Sequence, residues 1–112
     1  MGPIGYADPN YAYNQRLQDY YVERAKGGIG LIITGVTTVN VDVEGIGTPG
    51  LPCVTKNPSA FVHNGNQMNE RIHAYGAKIF LQMTANAGRS TMPGMVKNYI
   101  SPSAQPNRFD PS

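Results

Sequence analysis

The fold class is decided by residues 29–39, which read IGLIITGVTTV. The run is rich in β-branched side chains, which favour strands. It does not alternate apolar and polar residues, as a strand with one face in solvent does. A continuous apolar strand is typical of a parallel sheet that helices cover on both faces. This segment therefore predicts a buried strand of an α/β protein.

Helical segments lie on either side of this strand. Residues 13–26 show helical periodicity and stop at Gly27-Gly28, where a left-handed residue can cap the helix. A second helix is predicted to start with Ser59 as its N-cap and to end at Gly76, with Gly65 weakening its first turns. The predicted buried faces consist of Tyr13, Leu17, Tyr20, Tyr21 and Ala25 in the first helix, and of Phe61, Met68, Ile72 and Tyr75 in the second.

The outer segments complete an alternating order of strands and helices. Residues 77–83, AKIFLQM, predict a further buried strand, and residues 1–5, MGPIG, resemble the end of a preceding one. The order is strand, helix, strand, helix, strand, which is two βαβ units that share a strand. Long loops follow the strands and short turns follow the helices. The ligand-binding loops are therefore expected at the carboxyl ends of the strands.

Composition bounds the class of protein. The chain has 112 residues and a net charge of +2, and its basic residues are scattered, which argues against a nucleic-acid partner. No apolar run approaches the roughly 20 residues that a membrane span needs, so we expect no membrane partner. The single cysteine, Cys53, excludes an internal disulfide and a Cys-rich metal site within this chain. It also fits a reducing cytoplasm.

The amide of Gln82 is the best single candidate for a binding residue. It stands at the carboxyl end of the otherwise apolar strand 77–83, where an unpaired amide would be costly to bury. A polar, planar ligand would satisfy both its donor and its acceptor. The alternative is a glutamine that bonds to the backbone of a neighbouring loop. Both interpretations remain open at this level.

Other polar positions leave similar alternatives. Gly35, after Thr34, permits close approach of the backbone to a ligand or marks a β-bulge. Arg89 could bind an anion or hold its own loop in an ion pair. His73 is more simply a cation at a helix end and His63 a surface residue. Nothing in the sequence around Cys53 predicts a lowered pKa.

Several motifs together resemble one family. Residues 1–5, 19–35 (DYYVERAKGGIGLIITG) and 71–83 (RIHAYGAKIFLQM) are similar, in order, to the first three strands of the Old Yellow Enzyme group of NADH:flavin oxidoreductases. The continuation TANAGR, residues 84–89, is similar to the 2-enoate reductase branch of that group. The resemblance covers nearly the whole chain.

The resemblance implies an α/β fold in which residues 1–112 are the N-terminal fragment of an FMN-binding TIM (β/α)8 barrel, with about three strands and two helices. It implies that Pro3, Ile4, Gly5, Gly35 and Gln82 contact FMN, and that the catalytic residues lie beyond the chain. Many relatives carry Thr or Cys at the position of Gly5, where a hydroxyl or thiol modulates the flavin potential, and glycine offers neither group. Pro3 and Gly5 could otherwise form an ordinary strand-ending turn.

The resemblance further implies a cytoplasmic enzyme that uses NADH and a small enoate substrate, with FAD and a 4Fe-4S cluster, where present, bound outside this chain. Two alternatives stay open. The chain could be a non-enzymatic βαβαβ module or a truncated product without activity, which would self-associate through exposed strand edges. It could also belong to an amine dehydrogenase of the same superfamily, although residues 84–89 argue against that.

Overall fold

The structure is a computed structural model that describes residues 7–40, 50–84, 90, 101–106, 108 and 109. The predicted first strand, residues 1–5, lies outside the described residues. Asp8 opens a turn, in which its carboxylate accepts hydrogen bonds from the backbone N–H groups of Asn10 and Ala12. None of the described helices is long and apolar enough to cross a membrane.

The first helix, α1, comprises Gln15–Lys26. It begins two residues later than predicted, because the side chain of Asn14 caps it by accepting a hydrogen bond of 2.8 Å from the N–H of Leu17. Tyr13 therefore precedes the helix, but it remains buried. The predicted left-handed residue at the other end is Gly28, with φ of +99°.

The second helix, α2, comprises Pro58–His73. The prediction that Ser59 caps it is wrong, because the side chain of Asn57 accepts the hydrogen bond from the N–H of Ala60. Pro58 suits the first helical position, where no N–H partner is needed. The prediction of a buried Tyr75 is also wrong. Tyr75 follows the end of the helix and is 52% exposed.

The strands form two parallel pairs, which confirms the predicted strand direction. Strand β1, Leu31–Ile33, pairs with β3, Lys78–Phe80. Strand β2, Thr37–Thr38, pairs with β4, Met83–Thr84. Each predicted continuous strand is thus interrupted once, and both interruptions fall at the same level of the sheet.

The two interruptions differ in length. Three residues, Thr34 to Val36, separate β1 from β2, whereas two residues, Leu81 and Gln82, separate β3 from β4. One strand therefore carries one extra residue between two stretches of regular pairing, which is the definition of a β-bulge. The bulge explains why the single strand predicted over residues 29–39 is observed as the two shorter strands β1 and β2.

Both helices pack against one face of the sheet. Ile32 of β1 lies in the core with residues of both helices, and Ile79 of β3 packs against it. The core consists of Tyr13, Leu17, Tyr21, Val22, Ala25, Ile32, Phe61, Met68, Ile72 and Ala77. Among the described residues, the helices therefore cover one face of the sheet and not the other.

The prediction that the strands are buried on both faces is wrong for the described chain. Leu31, Ile33 and Phe80 are 48%, 61% and 61% exposed. Successive side chains of a strand point to opposite faces, and only the Ile32 face meets the helices. The described residues therefore leave an apolar sheet face uncovered.

Gly65 offers a test of the packing of α2. A Cβ atom at Gly65 would meet nothing within 4 Å, and the residue borders a cavity of about 120 Å³ between α2 and the sheet. Alanine also favours a helix interior over glycine, so Gly65→Ala should raise the free energy of unfolding by about 0.5–1 kcal/mol. Urea unfolding followed by circular dichroism measures this change.

Gly76 supplies the matched control. A Cβ there would be equally unobstructed, but φ is +78°. The left-handed conformation should make Gly76→Ala destabilising by about 1–2 kcal/mol. Equal effects of the two substitutions would contradict the described helix boundaries.

One ion pair joins the two helices. The guanidinium of Arg71 lies 2.6 Å from a carboxylate oxygen of Asp19, and both side chains are partly exposed. The hydrogen bond from Arg71, followed by that from Gln15, lowers the pKa of Asp19. The charged carboxylate is thus favoured in the folded state.

Asp19→Asn should make stability less dependent on pH. A carboxyl whose folded pKa is lowered stabilises the fold above its unfolded pKa of about 4, and that contribution is lost as the pH falls through the folded pKa. The wild type should therefore exceed Asp19→Asn in urea midpoint at neutral pH and approach it in acid. Glu23→Gln, at an exposed carboxylate of the same helix, is the control; the same convergence there would contradict a specific role for the ion pair.

Candidate functional site

Gln82 lies between β3 and β4, and its backbone is held by hydrogen bonds at both its N–H and its C=O. Its N–H donates to Oγ1 of Thr34 at 2.9 Å, and its C=O accepts from the N–H of Thr37 at 3.0 Å. Its side chain is exposed, so the expectation of a buried amide is not met in the described chain. The amide therefore projects from a fixed backbone at the predicted end of the strands.

Gly35 sits inside the bulge and is buried. Its N–H donates to the hydroxyl of Tyr21 at 2.6 Å, and its C=O accepts from Oγ1 of Thr34 at 3.0 Å. Of the two open interpretations, the β-bulge is the one that the structure contains. Contact of Gly35 with a ligand stays a prediction.

Two hydroxyls replace the missing sheet acceptors at the bulge. The regular ladder ends at the hydrogen bond from the N–H of Thr34 to the C=O of Phe80. Beyond it, the N–H groups of Gly35 and Gln82 bond to the hydroxyls of Tyr21 and Thr34. Backbone donors inside a fold need such partners. The hydroxyls therefore allow the sheet to break without leaving these groups unpaired.

The sequence does not predict these hydroxyl roles. It places Tyr21 on the buried face of a helix and Thr34 within a strand. A buried tyrosine or threonine still needs a hydrogen-bond partner for its hydroxyl. That requirement was the available signal, although it does not say which partner is chosen.

A second buried hydroxyl pair lies next to the bulge. The hydroxyls of Tyr13 and Thr37 are 2.9 Å apart. Burial is the main cause that raises the pKa of Tyr13, and burial likewise raises the pKa of Tyr21. Both phenols are therefore neutral at physiological pH and remain able to donate as well as accept hydrogen bonds.

A cleft of about 360 Å³ runs along β1 and reaches Gln82 and Thr34. Next to the ring of Tyr20, the guanidinium of Arg24 stacks 3.3 Å from the ring centroid. The cleft is lined by Tyr20, Tyr21, Arg24, Ile29, Leu31, Ile32, Ile33, Thr34 and Gln82. The structure thus brings Gln82 and Thr34 together in a depression that polar and apolar residues line in similar measure.

The remaining candidates divide into described and undescribed positions. Pro3, Ile4, Gly5 and Arg89 lie outside the described residues, so their predicted roles remain predictions. His63 and His73 are exposed on α2, and His73 is its last residue. Among the described residues, His, Cys, Asp and Glu form no group of three or more that could hold a metal ion.

Cys53 differs from its prediction. Burial raises the pKa of its thiol, but hydrogen bonds involving the side chain of Thr38 and the backbone and side chain of Thr55 outweigh burial, so the pKa lies below its usual value. The sequence did not indicate this, because the thiol meets Thr38 only when the loop bridges to β2. Cys53 is nevertheless fully buried.

These features define a parallel α/β unit with a polar site at its strand ends, and the comparisons assign its class. The family model of the NADH:flavin oxidoreductase / NADH oxidase family matches residues 4–109. The chain therefore belongs to the NADH:flavin oxidoreductase family, which confirms the resemblance seen in the sequence.

Two curated relatives are similar over most of this chain. A cinnamate reductase of Clostridium sporogenes is 51% identical over 112 residues, which cover 99% of this chain and 17% of the relative. An NADH oxidase of Thermoanaerobacter brockii is 37% identical over 106 residues, which cover 92% of this chain and 16% of the relative. The chain thus spans about one sixth of the length of these relatives.

Proposed function

We propose that this chain forms one wall of the FMN site of a longer reductase, which passes hydride from NADH through the flavin to the activated C=C bond of a small 2-enoate. The fixed Gln82 peptide with its exposed amide is the observation that carries the proposal. The similarity to a cinnamate reductase over 99% of the chain supports the substrate class.

We further propose that residues 1–112 are the N-terminal part of a TIM barrel. The parallel pairs support this, because both helices cover one sheet face and the other remains apolar and exposed. In a closed barrel, such a face packs against the other strands. On this proposal the isolated chain is inactive and self-associates through its uncovered sheet.

The described residues fit FMN. The side-chain amide of Gln82 offers a donor and an acceptor to the pyrimidine edge of the ring. Hydrogen bonds to Thr34 and Thr37 hold the backbone from which this side chain extends. A planar ring with one polar edge is a ligand that such an amide suits.

Bound FMN would supply the hydride-transfer chemistry, while the protein supplies orientation and electrostatics. In this proposal Gln82 holds the pyrimidine edge, and Gly35 with Pro3, Ile4 and Gly5 lines the ring. The catalytic residues, any FAD and any 4Fe-4S cluster belong to other parts of the protein. We also propose a cytoplasmic location for the whole protein.

The test uses the full-length protein encoded by the reading frame that contains this chain. The purified protein should carry one FMN per chain and should oxidise NADH anaerobically when cinnamate is added. Absence of FMN, or a reading frame that stops at Ser112, would overturn the proposal. Oxidation of NADH by oxygen, with none by cinnamate, would overturn the enoate substrate and favour an activity like that of the NADH oxidase relative.

A further inference from the structure

We infer that Thr34 is a positioning residue for the cofactor and acts through Gln82, an inference that rests on the proposed FMN site. Thr34 is 3% exposed, and its Oγ1 accepts the N–H of Gln82 while it donates to the C=O of Gly35. One hydroxyl thus joins the bulge on the first strand to the peptide that carries the amide on the second.

The bulge gives this hydroxyl its importance. Regular pairing stops at Ile33 and Phe80 and resumes at Thr37 and Met83 with one extra residue on the first strand. The N–H of Gln82 falls within this gap, where the hydroxyl of Thr34 is its acceptor.

Loss of that hydroxyl would release the peptide group that carries the N–H of Gln82. The next peptide group would remain held, because the C=O of Gln82 accepts from the N–H of Thr37. The released group could rotate to find a new acceptor for its N–H, and the changed backbone angles at Gln82 would redirect its side-chain amide. The predicted consequence is a loss of alignment at the ligand, with the strands still paired above and below.

The test compares FMN affinity in variants of the full-length protein, by titrating the apoprotein with FMN and following the quenching of flavin fluorescence. Thr34→Val should raise the Kd for FMN by roughly 5- to 10-fold, about the effect of one hydrogen bond. Thr34→Ser, which keeps the hydroxyl, should stay within about twofold of the wild type on the same scale. Thr34→Ala repeats the test without the second methyl group if Thr34→Val does not fold.

Thr38→Val is the matched control. Thr38 is also a buried threonine, but its hydroxyl donates to the C=O of Pro52, away from Gln82. Its replacement should leave the Kd for FMN within about twofold of the wild type. An equal loss of affinity in Thr34→Val and Thr38→Val would reduce the effect to general destabilisation and overturn the inference.

A double variant separates positioning from independent contact. If Thr34 acts through Gln82, then Thr34→Val should change the Kd by less than about twofold when Gln82 is already alanine. A full effect in that background would overturn the inference. Absence of FMN in the wild type would overturn the proposed function itself, whereas wild-type affinity in both Thr34→Val and Thr34→Ala would overturn only the role of Thr34.

Discussion

Gln82→Ala should weaken FMN binding by the full-length protein by roughly 5- to 150-fold. The amide is expected to make two hydrogen bonds to the flavin, and each contributes about 0.5–1.5 kcal/mol net. Hydrogen bonds already hold the backbone of Gln82 in place. This strengthens the expectation, because FMN binding need not order that backbone. Titration of the apoprotein with FMN measures the Kd.

Gln67→Ala is the control for this experiment. Gln67 is an exposed glutamine on α2, within a cavity that Gln82 does not line. Its replacement removes the same side chain at a different place and should leave the Kd for FMN unchanged. Unaltered FMN affinity in Gln82→Ala, with the protein folded, would contradict the role assigned to this residue.

Ile72→Ala should remove about 2–5 kcal/mol from the free energy of unfolding. Ile72 is fully buried, and it belongs to the core cluster that joins α1, α2 and the sheet. Truncation there leaves a cavity between elements that are already in place. With a urea dependence of about 1–3 kcal/mol per molar, the unfolding midpoint should fall by roughly 0.7–5 M.

Val62→Ala tests whether this loss is specific to the core. Val62 lies on the same helix but is 56% exposed, so its truncation removes little buried apolar surface. The expected change in the free energy of unfolding is within about 0.5 kcal/mol. Similar losses for Ile72→Ala and Val62→Ala would contradict the described orientation of α2.

The position of the candidate site could be predicted from the sequence, but the hydrogen bonds within it could not. The end of the strand 77–83 marked Gln82, and the glycine after Thr34 marked a close approach or a bulge. The hydrogen bond from Gly35 to Tyr21 was not predictable, because a buried hydroxyl signals a need for a partner without naming one. The lowered pKa of Cys53 could not be predicted for the same reason, because it depends on the contact with Thr38.

Helix boundaries show a similar division. Gly27 and Gly28 marked the end of α1, where the left-handed conformation of Gly28 suits a residue without a Cβ. The predicted end of α2 at Gly76 is wrong, because α2 ends three residues earlier, at His73.

The predicted first residues of both helices were wrong. Tyr13 and Ser59 are each compatible with a helix start in their local sequence. The choice of Asn14 and Asn57 as the N-caps depends on how each chain segment enters the packed core.

The sequence by itself determined two helices, parallel strands and the family to which the chain belongs, because periodicity, glycine stops and motif order are properties of neighbouring residues. Only the tertiary structure decided that each predicted strand breaks, that one break is a residue longer, and which sheet face meets the helices. The physical reason is that register depends on hydrogen bonds between segments far apart in the chain. Local propensity cannot express that pairing, and it is this pairing that sets the peptide of Gln82 beside the hydroxyl of Thr34.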